Sequence, residues 1–121
     1  MLPVSGFLAP SDPSGSRATF FVGEGDYGYA SDGVRINGNS LSDAINPANN
    51  VWNSYSNALD DPYINGIDLD TFDISPHIEP GDTSAEIELY SNLEIYNSIY
   101  TILSFRNDSA FGGVISFLIG D

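Results

Sequence analysis

The sequence predicts an all-β fold, a single β-sandwich of the jelly-roll or immunoglobulin-like type with about six to eight strands and an extended N-terminal arm. Apolar residues recur at a spacing near two along almost the whole chain, which is the side-chain period of a strand. The apolar stretches are short, and clusters of Gly, Pro, Asn, Asp and Ser separate them. The length of 121 residues suits one domain with one core.

Residues 1–16 are predicted to form the arm, and residues 17–121 the sandwich. The arm is rich in Pro, Ser and Gly, a composition typical of an extended segment or linker. It also carries Val4, Phe7 and Leu8. Because large apolar side chains are costly to leave in water, we expect the arm to dock, either on its own domain or on a neighbouring molecule.

The first half of the domain contains two predicted strands and a long loop. Residues 17–22 are largely apolar and end at a Gly-rich turn, and residues 33–37 alternate apolar with polar side chains. Residues 46–65 are dense in Asn, Pro, Ser and Asp, which predicts a long ordered loop. Trp52 and Tyr55 belong to this loop.

Two further strands are predicted in the second half. Residues 67–74 alternate, so that Asp68 and Asp70 project from one face of that strand. Residues 75–82 contain two prolines, which exclude a central strand there. Residues 85–90 show the cleanest alternation, with their apolar side chains predicted to face inward.

The last two predicted strands, residues 96–106 and 114–119, are apolar on both faces. Such a strand is either central in a covered sheet or packed against a neighbouring subunit. Pairing of residues 114–119, or of the arm, with a sheet edge of the next subunit would be β-strand addition, and head-to-tail repetition would give a filament. The residues predicted to make such contacts are Val4, Phe7, Leu8, Val114, Ile115, Phe117 and Ile119.

The charge balance restricts the partners. The chain has 17 acidic residues against three arginines and no lysine, which gives a net charge of −14. This charge argues against binding to nucleic acid or to an anionic membrane, since both require a basic surface. No apolar run approaches the roughly 20 residues of a membrane span, so membrane insertion is not expected.

The acidic residues favour either solubility or the binding of a hard cation. Ca²⁺ takes about six to eight oxygen ligands from carboxylates, amides and main-chain carbonyls. There is no cysteine, and no EF-hand spacing is present, so a calcium site would be assembled from separate loops. Asp32 and Asp70 are among the carboxylates available for such a site. The predicted calcium ligands are Glu24, Asp26, Asp60, Asp61 and Asp68. The alternative is a solvated acidic surface in which Asp and Asn form turns.

Catalytic equipment is sparse, and we do not expect an enzyme. His77 is the only histidine, and no serine lies in a Gly-x-Ser-x-Gly pattern. Paired carboxylates of the glycosidase type exist, but such enzymes usually need a larger cleft scaffold. Trp52 and Tyr55 could form a stacking platform for a sugar, or Trp52 could anchor its loop to the core.

Several motifs occur in a recognisable order: TFFVGEGD at 19–26, NPANNVWN at 46–53, GIDLDTFD at 66–73 and GDTSA at 81–85, followed by residues 96–105. They resemble a β-sandwich module of large secreted and cell-surface bacterial proteins, which look like adhesins and often carry repeated immunoglobulin-like domains. The resemblance covers most of residues 17–106. It implies a sandwich fold and an extracellular or cell-surface location.

We therefore expect an extracellular structural or interaction protein. It would self-assemble by β-strand addition into a filament or tube, or act as an adhesin-like module, with copies of itself or other surface proteins as partners. The alternative is a carbohydrate-binding module that recognises a glycan, either with Ca²⁺ as a cofactor or without one.

Overall fold

The structure is a computed structural model that describes residues 1–23, 25–59, 63–93, 95–108 and 114–120, with the backbone but not the side chains of residues 114–117. It confirms the predicted all-β sandwich, and the described strands form two antiparallel four-stranded sheets. The first sheet has the order β1 (Leu2–Ser5), β6 (Ser84–Ser91), β3 (Asp32–Ile36), β4 (Asn39–Ser40). The second has the order β5 (Ile67–Asp73), β2 (Arg17–Gly23), β7 (Asn97–Arg106), β8 (Val114–Gly120).

Helix is almost absent from the described residues. The one helical element there is a 3₁₀ turn at Ser75–His77, which begins where Pro76 fixes the backbone and blocks continuation of β5. No helix in the described segments has the length and apolar character needed to cross a membrane.

The chain crosses repeatedly between the two sheets and brings three connections to one end of the sandwich. The connections β2–β3 and β6–β7 both cross from one sheet to the other, while β2 pairs with β7 and β3 with β6. At that end Gly23 lies opposite Ile67 and Asn97, and Asp32 lies opposite Ser91. We call this the loop end; its described residues are 25–31, 54–59, 63–66, 92–93 and 95–96.

The core lies between the sheets and continues beneath the β4–β5 loop. Alternate residues of β2 and β7, such as Phe20 and Leu103, face inward because one face of each strand is packed against the other sheet. Trp52, from the loop, is completely buried against Phe20, with ring centroids 5.7 Å apart. The loop is therefore part of the packed interior.

The arm docks on its own domain. Its first residues form β1, which pairs antiparallel with β6 and so becomes an edge of the first sheet. Val4 and Phe7 are buried, and the Phe7 ring stacks on Phe105 at a centroid distance of 4.6 Å. The turn between them uses Gly6 at φ +92°, a conformation that favours glycine. Leu8, like Met1, is exposed to solvent.

Truncation of Phe7 tests how far the arm contributes to stability. We expect Phe7→Ala to lower the free energy of unfolding by about 3–5 kcal/mol, because it removes a buried ring and leaves a cavity beside Phe105. Leu8→Ala, one residue further on and exposed, should change it by less than about 0.5 kcal/mol. Urea unfolding of both variants gives the comparison, and equal losses would mean that the arm does not pack as described.

Candidate functional site

The last strand, β8, forms an edge of the second sheet. Among the described strands its one neighbour is β7, with a register that runs from Tyr100 opposite Gly120 to Arg106 opposite Val114. The two-sided apolar stretch is therefore not a central strand. Every second N–H and C=O group of β8 points away from β7, where a further strand could bind.

The side chains of β8 that the structure describes alternate between core and solvent. Ile119 is partly buried and packs against the core cluster, whereas Leu118 is 72% exposed. Of the other predicted contact residues, Val114, Ile115 and Phe117 belong to the part of β8 whose side chains lie outside the described ones. Leu118, the exposed apolar residue, was not among those predicted.

The other three sheet edges carry features that oppose pairing with another chain. β1 has four residues and contains Pro3, and β4 has two residues. The outer edge of β5 is covered by the β4–β5 loop, where Asn57 Oδ1 accepts the N–H of Thr71 at 2.7 Å and Asn57 Nδ2 donates to the carbonyl oxygen of Thr71 at 3.0 Å. The sequence of β8 is VISFLIG, which contains no proline and no charged residue. Of the four edges, β8 is the one without such protection.

The loop end displays a group of three tyrosines. Tyr55 lies between Tyr27 and Tyr63, with ring centroids 5.8 Å and 5.5 Å away, and it forms an isolated β-bridge with Tyr63. Tyr27 and Tyr63 are exposed and Tyr55 is half-buried. We call Tyr27, Tyr55 and Tyr63 the tyrosine group. Rings arranged in this way offer apolar faces beside phenolic hydroxyl groups, a combination that suits a sugar ring.

Trp52, the other residue predicted to contact a ligand, has no exposed surface. Its ring is covered by Phe20 on one side and by Tyr96, 5.9 Å between centroids, on another. A ring enclosed by its own domain has no face free for stacking. Its position is that of an anchor for the β4–β5 loop.

Three carboxylates are completely buried, and each holds part of the β4–β5 loop. Asp32 Oδ1 accepts the N–H of Trp52 at 2.9 Å, and Asp68 Oδ1 accepts the N–H of Ser54 at 2.9 Å. Asp70 Oδ1 accepts from the N–H of Asn57 at 3.0 Å and from Asn46 Nδ2 at 2.8 Å. Each of the three second oxygens, Oδ2, is buried and has no hydrogen-bond partner among the described residues.

The three arginines of the chain are engaged elsewhere. Arg17 pairs with Asp73 at 3.4 Å, Arg35 pairs with Glu88 at 2.7 Å, and Arg106 lies against Gly15.

Two of these carboxyls, Asp68 and Asp70, have pKa values far above the usual range of an aspartate. Burial raises the pKa of Asp68 to about 8, and the negative charges of Asp70 and Asp32 add to the rise. Burial likewise raises the pKa of Asp70 to about 7, with a smaller contribution from the charge of Asp43. Near neutral pH these groups therefore favour the neutral form or a bound cation.

Of the predicted calcium ligands, Asp26 is exposed at the loop end and Asp68 is buried beneath it. Glu24, Asp60 and Asp61 lie outside the described residues. Among the described residues, no group of three or more His, Cys, Asp or Glu side chains is placed to hold a metal ion. Asp32, which is not among the predicted ligands, is also a buried carboxylate beneath the loop end. It follows directly after the 25–31 connection, and nothing in the local sequence indicates that it is buried.

His77 lies in a shallow depression together with Asp43 and Asp73. The main-chain N–H of His77 donates to the carbonyl oxygen of Ile74 at 2.9 Å, and its main-chain carbonyl oxygen accepts from Asn37 Nδ2 at 2.8 Å. No hydrogen bond joins its imidazole ring to a serine of the described segments.

No protein-family model matches the chain, and neither a curated protein nor a solved structure matches it. The resemblance to a module of adhesin-like proteins stays a prediction.

The pH dependence of stability tests the buried carboxyls. Because the pKa values of Asp68 and Asp70 are raised on folding, the folded state binds more protons than the unfolded state between about pH 4 and about pH 8. Their contribution to stability is complete below the unfolded pKa and is lost as the pH rises through the folded pKa. In chelator we expect the melting temperature to fall from about pH 5 to about pH 9.

Two variants identify the carboxyl that causes this pH dependence of the melting temperature. Asp70→Asn should make the fall of the melting temperature with pH smaller, because the amide cannot lose a proton. Asp73→Asn, on the same strand but exposed, should leave it unchanged over this range. A melting temperature that is constant with pH would contradict the raised pKa values.

Proposed function

We propose that this chain is an extracellular structural module that assembles with copies of itself through the edge of β8. The observation that carries the proposal is the contrast between β8 and the other three edges. This seven-residue strand has no charge and no proline, its outer main-chain groups pair with no other described strand, and the side chain of Leu118 is exposed. Strand addition would satisfy those groups and bury apolar surface in one step.

Charge supports the same edge as the contact. Two copies with a net charge of −14 repel each other, so close approach is least costly where the surface has no charged side chains. β8 provides such a strip. Salt should therefore strengthen the association, since it screens the repulsion between the rest of the two surfaces.

The protected state of the other edges favours β8 of a second copy as the partner strand. Two β8 strands paired antiparallel would join the second sheets of two molecules into one eight-stranded sheet around a two-fold axis. Pairing of β8 with a different edge of the next copy would instead give an open filament or tube. Light scattering and negative-stain microscopy distinguish these two assemblies.

A charge placed on β8 tests the proposal. We expect Leu118→Lys to weaken self-association by about tenfold or more, because lysine in an edge strand opposes strand pairing. Leu93→Lys is the matched control: Leu93 is 73% exposed and Leu118 is 72% exposed, but Leu93 lies in the β6–β7 connection. The control should associate like the wild type in light scattering over a concentration series.

Two outcomes would overturn assembly through β8. One is a wild-type chain that stays monomeric at the highest soluble concentration and in high salt. The other is equal self-association of Leu118→Lys and the wild type.

A carbohydrate-binding module is the second candidate function, and the tyrosine group is the observation that favours it. Its exposed rings lie at the end of the sandwich where three connections meet. The binding platform of this candidate is therefore Tyr27, Tyr55 and Tyr63, without Trp52.

Substitution in the tyrosine group tests this candidate. If affinity electrophoresis against a panel of polysaccharides finds a ligand, Tyr63→Ala should weaken its binding by roughly tenfold through loss of one stacking face. Tyr29→Ala, an exposed tyrosine of the same end outside the group, should bind normally. The candidate is wrong if no polysaccharide retards the protein, or if both variants bind like the wild type.

A further inference from the structure

We propose that the interior beneath the loop end holds one divalent cation of the calcium type, bound by Oδ2 of Asp68, Oδ2 of Asp32 and the main-chain carbonyl oxygen of Trp52. The inference goes beyond the assembly function, because it rests on other residues at another part of the fold.

The first observation is the geometry around Gly25. The carbonyl oxygen of Trp52 and Oδ2 of Asp68 both lie within 2.9 Å of the position that a Cβ on Gly25 would occupy. Glycine is therefore required at residue 25, since any side chain would collide with an oxygen of the site. Both oxygens therefore lie against Gly25 and close enough together for one cation to bind both, at the Ca²⁺–oxygen distances of about 2.3–2.6 Å.

The second observation is that the oxygens have no other partner. Asp68 and Asp32 are completely buried, and Oδ2 of each accepts no hydrogen bond from the described residues. Their Oδ1 atoms bind the N–H groups of Ser54 and Trp52, so both carboxylates are fixed on the same short segment of the β4–β5 loop.

The third observation is the lack of an internal counter-charge. Arg17 and Arg35 pair with other carboxylates, Arg106 lies beside Gly15, and the chain has no lysine. An unpaired buried carboxylate is strongly unfavourable, so it must take up a proton or bind a cation. A proton neutralises one group at a time, whereas one divalent ion would neutralise Asp32 and Asp68 together.

The donor atoms indicate the class of ion. All are oxygens, and the chain has no cysteine, which favours a hard cation over zinc or copper. Two carboxylates and one carbonyl leave the remaining positions to water and other loop oxygens. Ca²⁺ tolerates such an irregular shell better than Mg²⁺, which demands near-octahedral geometry.

An ion at this position would also order the surface above it. Asp68 holds Ser54, the residue before Tyr55, and Ser54 Oγ donates to the carbonyl oxygen of Gly25 at 2.6 Å. The segments that carry Tyr27 and Tyr55 both begin at the proposed site. Cation binding would therefore stabilise the loop end as well as the core.

The single tryptophan provides a direct probe. Terbium is an oxygen-seeking ion that replaces calcium, and its luminescence is sensitised by a nearby indole. Because Trp52 would supply a ligand through its own carbonyl, excitation at the red edge of tryptophan absorption should give strong Tb³⁺ emission that added CaCl₂ quenches by competition. Titration of the chelator-treated protein with CaCl₂ alone should show saturable heat, and its melting temperature should rise by several degrees.

Asp68→Asn is the decisive variant, with Asp73→Asn on the same strand as its control. Asn keeps the shape and the Ser54 hydrogen bond but removes the buried charge, so Asp68→Asn in chelator should melt at or above the wild-type temperature. Its calcium affinity should fall by more than about tenfold. Asp73→Asn should respond to calcium like the wild type, because Asp73 is exposed and pairs with Arg17.

Asp32→Asn provides a second, independent variant if Asp68→Asn fails to fold, and the same loss of affinity is expected. The proposal is overturned if the wild type shows neither sensitised emission nor heat with millimolar CaCl₂, as a site neutralised by protons alone would behave. It is also overturned if the folded Asp68→Asn or Asp32→Asn variant binds calcium like the wild type. These measurements can be repeated on Leu118→Lys, so failure of assembly through β8 would leave them unaffected.

Discussion

In its described residues the β4–β5 loop has almost no regular secondary structure, and its position depends on carboxylates that the strands direct inward. Asp32, Asp68 and Asp70 replace the main-chain partners that a strand would have supplied to the N–H groups of this loop. A long loop can be buried only if its polar groups are satisfied in this way. The loop in turn supplies Trp52, the largest side chain of the core. Burial of these carboxylates and hydrophobic packing are thus linked, since the three aspartates hold the loop that places the Trp52 ring in the core.

Much of the strand pattern could be predicted because it depends on local alternation. The predicted strands at 17–22 and 85–90 correspond to Arg17–Gly23 and Ser84–Ser91, and the loop containing Trp52 is ordered. β1 was predicted as part of an arm, since Pro3 and the Ser- and Gly-rich residues after it are typical of a linker. Its partner, β6, is distant in the sequence, and no local pattern indicates that pairing.

The candidate site could be predicted less well from the sequence than the strands. Alternation placed Asp68 and Asp70 on one face of their strand, but acidic residues normally mark the solvent face, whereas here that face is buried. The reason lies in hydrogen bonds from a loop that precedes the strand, and such pairings follow from the tertiary fold alone. The edge position of β8 likewise depends on the order of the strands, which apolar composition does not determine.

The pairing of β1 with β6 also has a consequence for synthesis on the ribosome. Residues 2–5 are synthesised before β2 to β5, whereas their partners at 84–87 are synthesised after them. Likewise β2 pairs with β5 and β7, so that neither sheet can close from its neighbours in sequence. Contacts so distant along the chain are slow to form. The nascent domain therefore exposes Val4 and Phe7 until β6 and β7, which carry their partners, have been translated.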